Sequence, residues 1–324
     1  MILVTGAAGF IGSVLVKELN LLGREDIIIV DRLRDTTKWK NLAGLKYAEY
    51  VHADELLSLI DGFEEEISFI FHIGACSSTT QMDMDYLMRN NVEYSRFLFE
   101  VAATNNIPFV YASSAATYGD GELGYSDDHQ KIKDYRPLNP YGYSKQLFDE
   151  WVLKQTQFPS HWFGLKYFNV YGPNEYHKED MRSLVHKAHG QIKETGKVKL
   201  FKSHKEGYED GKQLRDFIYV KDIARAMLEM MNPSSANFSG IYNLGTGKAR
   251  SFLDFMKATF KAMDKPENIE FIDMPLSIRD QYQYYTQADM TKFKEFLPNF
   301  KFTTLEDGVE DYVKNYLDAQ NSYY

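Results

Sequence analysis

The eight residues TGAAGFIG, at positions 5–12, constrain this chain more than any other stretch. They follow at once on the apolar run ILV and lead into an amphipathic segment near 10–22. Gly6, Gly9 and Gly12 stand at three-residue spacing. In a strand–turn–helix unit the first two let the backbone turn tightly and approach a pyrophosphate, and the third lets helix and strand pack closely. Free N–H groups at the helix start then face the phosphates. Incidental glycines in a tight turn would look alike, so the next strand matters. DIIIVD ends in Asp31, placed to grip an adenosine ribose. Arg32 and Lys38 follow directly. A carboxylate favours a free 2′-hydroxyl, whereas cations suit a 2′-phosphate. Both cations can equally be read as solvated surface charges, and the reading adopted leans to NADP over NAD.

Short apolar runs alternate with amphipathic stretches through the first half: ILVTG, DIIIVD, FIFHIGA, PFVYASSA and WFGLKYFNVYG, the last read as one run. Runs of this kind are buried parallel strands separated by helices. The fold class expected is α/β, a Rossmann doubly wound parallel sheet with a smaller, mixed α/β substrate domain. Beyond Gly172-Pro173 the pattern loosens into a helix at about 180–194 and a polar loop, KSHKEGYEDGKQ. A strand and helix in RDFIYVKDIARAMLEMM and a strand and turn in GIYNLGTG come next. The division expected is residues 1–168 with 216–245 for the dinucleotide, and 169–215 with 246–324 for substrate.

Composition excludes several classes. Hydrophobic residues are 44% and charged residues 26% of the 324, an ordinary globular balance. A net charge of −9 repels nucleic acid at long range. No apolar run is long enough to span a membrane. The first strand begins at Ile2, which leaves no room for a signal or transit peptide, and Cys76 is the single cysteine, so a cytoplasmic protein without disulfides is expected. No His/Cys spacing suits zinc and no Asp-rich loop suits calcium, so no metal is expected.

The stretch NPYGYSK offers two tyrosines before one lysine. On a helix, Tyr141 and Lys145 share a face at i and i+4, while Tyr143 points elsewhere. A phenol is a poor base at neutral pH unless a nearby ammonium and a cationic nicotinamide favour the phenolate. Tyr141 then accepts a hydroxyl proton while the carbon is oxidised. Ser113 and Ser114, at the end of an apolar run, fall at a strand's carboxyl edge, where open α/β sheets bind ligands. Ser114 is placed to hold the same oxygen. Arg215 and Arg279 are candidate diphosphate clamps, because guanidinium binds phosphate bidentately, or else structural ion pairs. Cys76 reads as a buried packing thiol rather than a nucleophile.

TGAAGFIG, ASSAATYG, YGYSK, YFNVYGP and RDFIYVKD together resemble the extended short-chain dehydrogenase/reductase family. The resemblance implies a Rossmann domain, a tightly held nicotinamide cofactor and a nucleotide-sugar substrate. Dehydratases of that family carry an acidic pair just after the serine edge, where this chain has Ala115 and Ala116, so epimerisation is expected instead. DRLRDTTKWKNL, GACSSTT, YFNVYGPNEYHK, NLGTGKARSF and YTQADMTKF resemble the branch that inverts C6 of an ADP-linked heptose, supplying heptose for the lipopolysaccharide inner core. Alternatives are another nucleotide-sugar epimerase, such as one inverting C4 of a UDP-hexose, and a non-catalytic NADP-binding protein.

By that resemblance Tyr141 and Lys178 are the two acid–base groups, with Ser114 and Lys145 beside them; residue type alone would leave Lys178 a loop surface charge. Phe10, Ile11, Asp31, Arg32, Lys38, Ile73, Gly74, Ala75, Cys76, Ser77, Asn90, Lys145, Val170 and Lys178 would join the glycines in holding cofactor. Ser114, Asn169, Phe201, Lys202, Ser203, His204, Arg215 and Tyr282 would hold ADP-heptose. A homo-oligomer is implied, with a pentamer as its form. The chain departs from the branch at Ala53 (a lysine expected, His52 beside it), Asp180 (a serine) and Lys187 (a histidine, with His186 adjoining), and its 201–215 loop is long.

Overall fold

The computed structural model describes residues 1–62, 66–231, 238–279 and 282–324. Its strands are β1 (Ile2–Thr5), β2 (Ile27–Asp31), β3 (Glu49–His52), β4 (Phe69–His72), β5 (Phe109–Ser114), β6 (Trp162–Tyr167), β7 (Asn169–Tyr171), β8 (Val198–Phe201), β9 (Leu214–Tyr219), β10 (Gly240–Leu244), β11 (Ala249–Ser251) and β12 (Ile269–Ile272). Seven of them form one parallel sheet in the order β10-β6-β5-β4-β1-β2-β3. The order reverses between β1 and β4, and the crevice above their carboxyl ends is where such sheets bind ligands.

The strands are unbroken runs of Ile, Val and Phe because both faces of the sheet are covered: every residue of β1, β2 and β4 is buried. Strand alternation sends Ile2 and Val4 into one core and Leu3 into another. On the first face the helix Phe10–Leu21 packs against the helix Val220–Glu229. On the second, Phe99 and Phe148 from two further helices, Tyr94–Thr104 and Pro140–Val152, meet β5.

Two local expectations are corrected. WFGLKYFNVYG is two strands, not one. β6 closes the main sheet while β7 pairs with β9 in a three-stranded sheet that also holds β11. The break falls at Phe168, whose N–H donates to Leu244 O as the chain changes sheets. The helix expected at about 180–194 is Leu184–Thr195, preceded by a tight turn over Tyr176–Met181. The buried Glu175 carboxylate separates them by accepting the Ser183 N–H and hydroxyl, each at 2.5 Å. β8 pairs with β12 in a small sheet that carries the 201–212 loop. β10 returns to the main sheet, whereas β9 lies with β7 and β11.

Candidate active site

The glycine loop is shaped by contact with the segment that follows β4. Gly6 has φ +67°, and a Cβ there would lie 2.6 Å from Gly74 Cα. A Cβ on Gly12 would lie 2.1 Å from Gly6 O. Only hydrogen fits at either position, which leaves the first turn of Phe10–Leu21 open as a phosphate cradle. Thr5 Oγ1 accepts from Gly74 N at 3.0 Å and lies 2.7 Å from His72 Nδ1. Burial, with Lys145 nearby, pushes the His72 imidazole down to about 3, so it is neutral.

Asp31 ends β2 beside this cradle. Its carboxylate accepts from Ala8 N at 2.9 Å and Arg32 N at 2.7 Å and pairs with Lys38. Arg32 turns outward to Asp54, with Nε at 2.7 Å. Both cations expected at a 2′-phosphate are therefore already paired. Ala53 is buried and its N–H donates to Asp31 O at 3.1 Å, and His52 Nδ1 lies 3.7 Å from Asp54.

Ile73 and Gly74 pack against the Gly6 turn, and Ala75, Cys76 and Ser77 continue the chain from there. Asn90, the residue singled out by resemblance, donates to Tyr86 O at 2.8 Å. Its neighbour Asn91 does the tying. Asn91 Oδ1 accepts from Cys76 N at 2.8 Å, and Nδ2 donates to Cys76 O and Ser144 Oγ, each at 3.0 Å. A widened helical turn over Met88–Glu93 aims Asn91 inward. The Asn-Asn pair was visible in the sequence, but choosing its inward member requires the register of that turn.

β5 sorts its two serines by alternation. Ser113 Oγ donates to Asp149 at 2.7 Å, and Ser114 meets the Tyr141 phenol. Asn139 caps the helix Pro140–Val152 by accepting from Gly142 N at 2.8 Å, with proline in the first turn. Tyr141 and Lys145 are buried on its inner face, whereas Tyr143 is 48% exposed. Lys145 Nζ donates to Ala112 O at 2.9 Å, and burial lowers its pKa to about 8. Burial raises the Tyr141 pKa, partly countered by the Ser114 hydrogen bond. Cys76 is half-buried and close enough to act electrostatically on both groups, so its reading as a buried packing thiol is corrected.

Lys178 lies in the Tyr176–Met181 turn with Nζ 5.4 Å from the centre of the Phe10 ring, over the start of the glycine-loop helix. Burial lowers its pKa and Glu175 opposes that shift. Asn41 ties this turn to the cradle, donating to Ala8 O at 2.9 Å and Asn174 O at 3.1 Å, and Asn174 donates to Ser13 Oγ at 3.0 Å. Val170 lies on β7. Asp180 is exposed and its carbonyl accepts from Lys187 Nζ at 2.5 Å, while His186 packs on the Tyr176 ring.

The expected substrate residues gather around β8 and β9. Arg215 is buried, donates to Leu214 O at 2.9 Å and to Gln283 O, and lies 5.4 Å from the Tyr282 ring centre. Phe201 ends β8; beyond it Ser203 N donates to Asp210 at 2.7 Å, His204 N to Tyr284 Oη at 3.0 Å, and Lys202 Nζ lies 3.3 Å from Asp273. A cleft of about 220 Å³ opens between Lys205, Tyr208 and Tyr284 of this region and Asp120, Glu122 and Tyr125. Asn169, exposed on β7, accepts from Thr286 Oγ1 at 3.4 Å. Arg279 donates to Met274 O at 2.9 Å. Residues 280–281 beside it lie outside the described set.

The glycine turn after β1 and the Ser–Tyr–Lys edge at the end of β5 both stand at the carboxyl ends of the parallel strands, and the chain belongs to the NAD dependent epimerase/dehydratase family, whose pattern matches residues 2–245. More particularly, it is 49% identical to the ADP-L-glycero-D-manno-heptose-6-epimerase of Fusobacterium nucleatum over 100% of both chains. The crystal structure of the Helicobacter pylori enzyme of that name superposes with a TM-score of 0.81 at 30% identity, covering 97% of this chain and 95% of that one. The Thermus thermophilus UDP-glucose 4-epimerase, solved with NAD, follows at a TM-score of 0.75 and 25% identity, covering 98% and 99%.

Proposed function

We propose that this protein interconverts the two C6 epimers of ADP-glycero-D-manno-heptose by transient oxidation at that carbon. The observation that carries the reading is the Ser114–Tyr141–Lys145 edge beside the glycine cradle, in a chain that matches an enzyme of that activity from end to end. C6 bears no acidic hydrogen, so direct proton abstraction cannot invert it. A bound nicotinamide supplies a reversible acceptor for the hydrogen and electron pair of that carbon. Tyr141 takes the hydroxyl proton, Lys145 as ammonium favours the phenolate, and Ser114 holds the oxygen by a hydrogen bond. The resulting ketone turns within the site and is reduced on its other face, which presents the oxygen elsewhere. Lys178 serves there as the second acid–base group, and burial lowers its pKa below the ordinary lysine value, which eases release of its proton.

The same reading takes NADP as the cofactor, supported by Arg32 and Lys38 standing beside Asp31 and each able to exchange its carboxylate partner for a phosphate. It also takes the protein to be a cytoplasmic homo-oligomer, which sedimentation of the purified protein tests. Product NMR after incubation with ADP-heptose, run against UDP-hexoses, tests the substrate. In D₂O, C6 gains no carbon-bound deuterium; deuterium there would refute the oxidation scheme. Mass measurement of the cofactor released on denaturation decides NADP against NAD.

A further inference from the structure

Asp149 and Lys166 are charges that the mechanism leaves unused, and neither side chain has exposed surface. Lys166 Nζ lies 2.5 Å from Asp149 Oδ2 and donates to Thr117 Oγ1 at 2.8 Å, over the Tyr118 ring. Asp149 also accepts from Tyr111 Oη at 3.0 Å and Ser113 Oγ at 2.7 Å. In the sheet Ser113 stands opposite Lys166, and Tyr111 opposite Gly164. A Cβ on Gly164 would fall 2.3 Å from Tyr111 Cζ, so glycine makes room for the ring that reaches Asp149. One carboxylate therefore gathers three donors from β5 and β6. It stands on the helix that bears Tyr141 and Lys145, each four residues from the next, hence on one face.

A buried ion pair is poor evidence for stability, since desolvation offsets its attraction and apolar residues fill such a site as well. Its distinguishing property is direction. Three donors on one carboxylate set the rotation and axial position of the helix against the strand that ends in Ser114. We propose that Asp149, held by Lys166, is a positioning residue for catalysis: it sets the Tyr141 phenol against Ser114 and keeps a negative charge facing the Tyr141–Lys145 pair. This rests on the reading of Tyr141 as an acid–base group.

The charged and titratable groups facing that pair are Asp149 on the same helix, His72 on β4, Cys76 beyond it and Tyr167 on β6. Tyr111, Tyr118, His129 and Lys166 face Asp149 itself. The Asp149 charge raises the pKa of both Tyr141 and Lys145, so removing it moves both downward.

The test uses holoenzyme carrying Asp149→Asn, or Asp149→Asn with Lys166→Met, which leaves no unpaired buried charge if the single variant fails to fold. Each is titrated in the ultraviolet against its Tyr141→Phe counterpart, which isolates ionisation of residue 141. Tyrosinate is expected at lower pH than in wild type for both variants, with kcat reduced on the order of 10²-fold and KM little changed. A folded double variant whose Tyr141 titrates as in wild type overturns the inference, whatever its kcat. A shifted titration in a protein whose wild type leaves ADP-heptose untouched supports the placement of Asp149 and instead overturns the epimerase reading.

Discussion

Gly12→Ala isolates the cradle from the acid–base groups. Alanine is the better helix former, by about 1 kcal/mol in an open helix. Here its Cβ would sit 2.1 Å from Gly6 O and 2.8 Å from Gly6 C, with Ala7 Cα at 3.0 Å. All three are backbone atoms, so no side chain can swing aside. Reaching ordinary contact requires the helix start and the loop to part by about 1 Å, and overpacking of this kind costs about 1–3 kcal/mol. The propensity gain offsets about 1 kcal/mol of that, leaving a net loss of up to about 2 kcal/mol, read as a fall of up to a few degrees in Tm. Cofactor binding suffers more. An N–H aimed at a phosphate stops being a hydrogen bond when displaced by about 1 Å, and one lost bond to a charged group costs about 1.5–3 kcal/mol, or roughly 10- to 150-fold in affinity. Cofactor retained per chain after gel filtration and thermal unfolding without added cofactor measure the two effects separately. A variant with wild-type Tm and full cofactor content would show that Gly12 is an incidental turn residue.

Tyr141→Phe is expected to lower kcat by about 10²–10⁴-fold while retaining cofactor, because it removes only the proton acceptor; retained turnover in a steady-state assay contradicts that role. Asn91→Ala, which frees both backbone groups of Cys76, is expected to cost about 1–3 kcal/mol and to weaken cofactor retention, with Asn90→Ala milder on both counts in denaturant titration. For Lys145 the folded pKa of about 8 lies below the ordinary 10.5, so the unfolded chain binds the extra proton between those values. The burial penalty is fully present below pH 8 and is relieved as pH rises toward 10.5. Urea unfolding should therefore show Lys145→Met at its most favourable relative to wild type near pH 7, with that advantage shrinking across the window; a pH-independent difference refutes the assignment.

Local pattern made much of this protein legible. The parallel sheet followed from apolar runs too continuous to have a wet face, and the cradle from three glycines between a strand and a helix. The burial of Tyr141 and Lys145 on one helix face, and the outward turn of Tyr143, followed from helical spacing alone. These features are short-range: each depends on residues within about two turns of one another.

What the sequence could not supply was partnership at long range. Nothing local distinguishes Asn91 from Asn90, or marks Asp149 and Lys166 as partners in the core. The same holds for the turn bearing Lys178, which Asn41 and Asn174 fasten over a glycine loop more than a hundred positions earlier in the chain. Arg32 and Lys38 were recognisable as cations, but only the packed chain shows Asp54 and Asp31 occupying them. Pattern determines which faces are buried, because burial follows a periodicity of two or 3.6 residues. Tertiary structure decides which buried polar group meets which, because a hydrogen bond needs two groups about 3 Å apart whatever their separation along the chain.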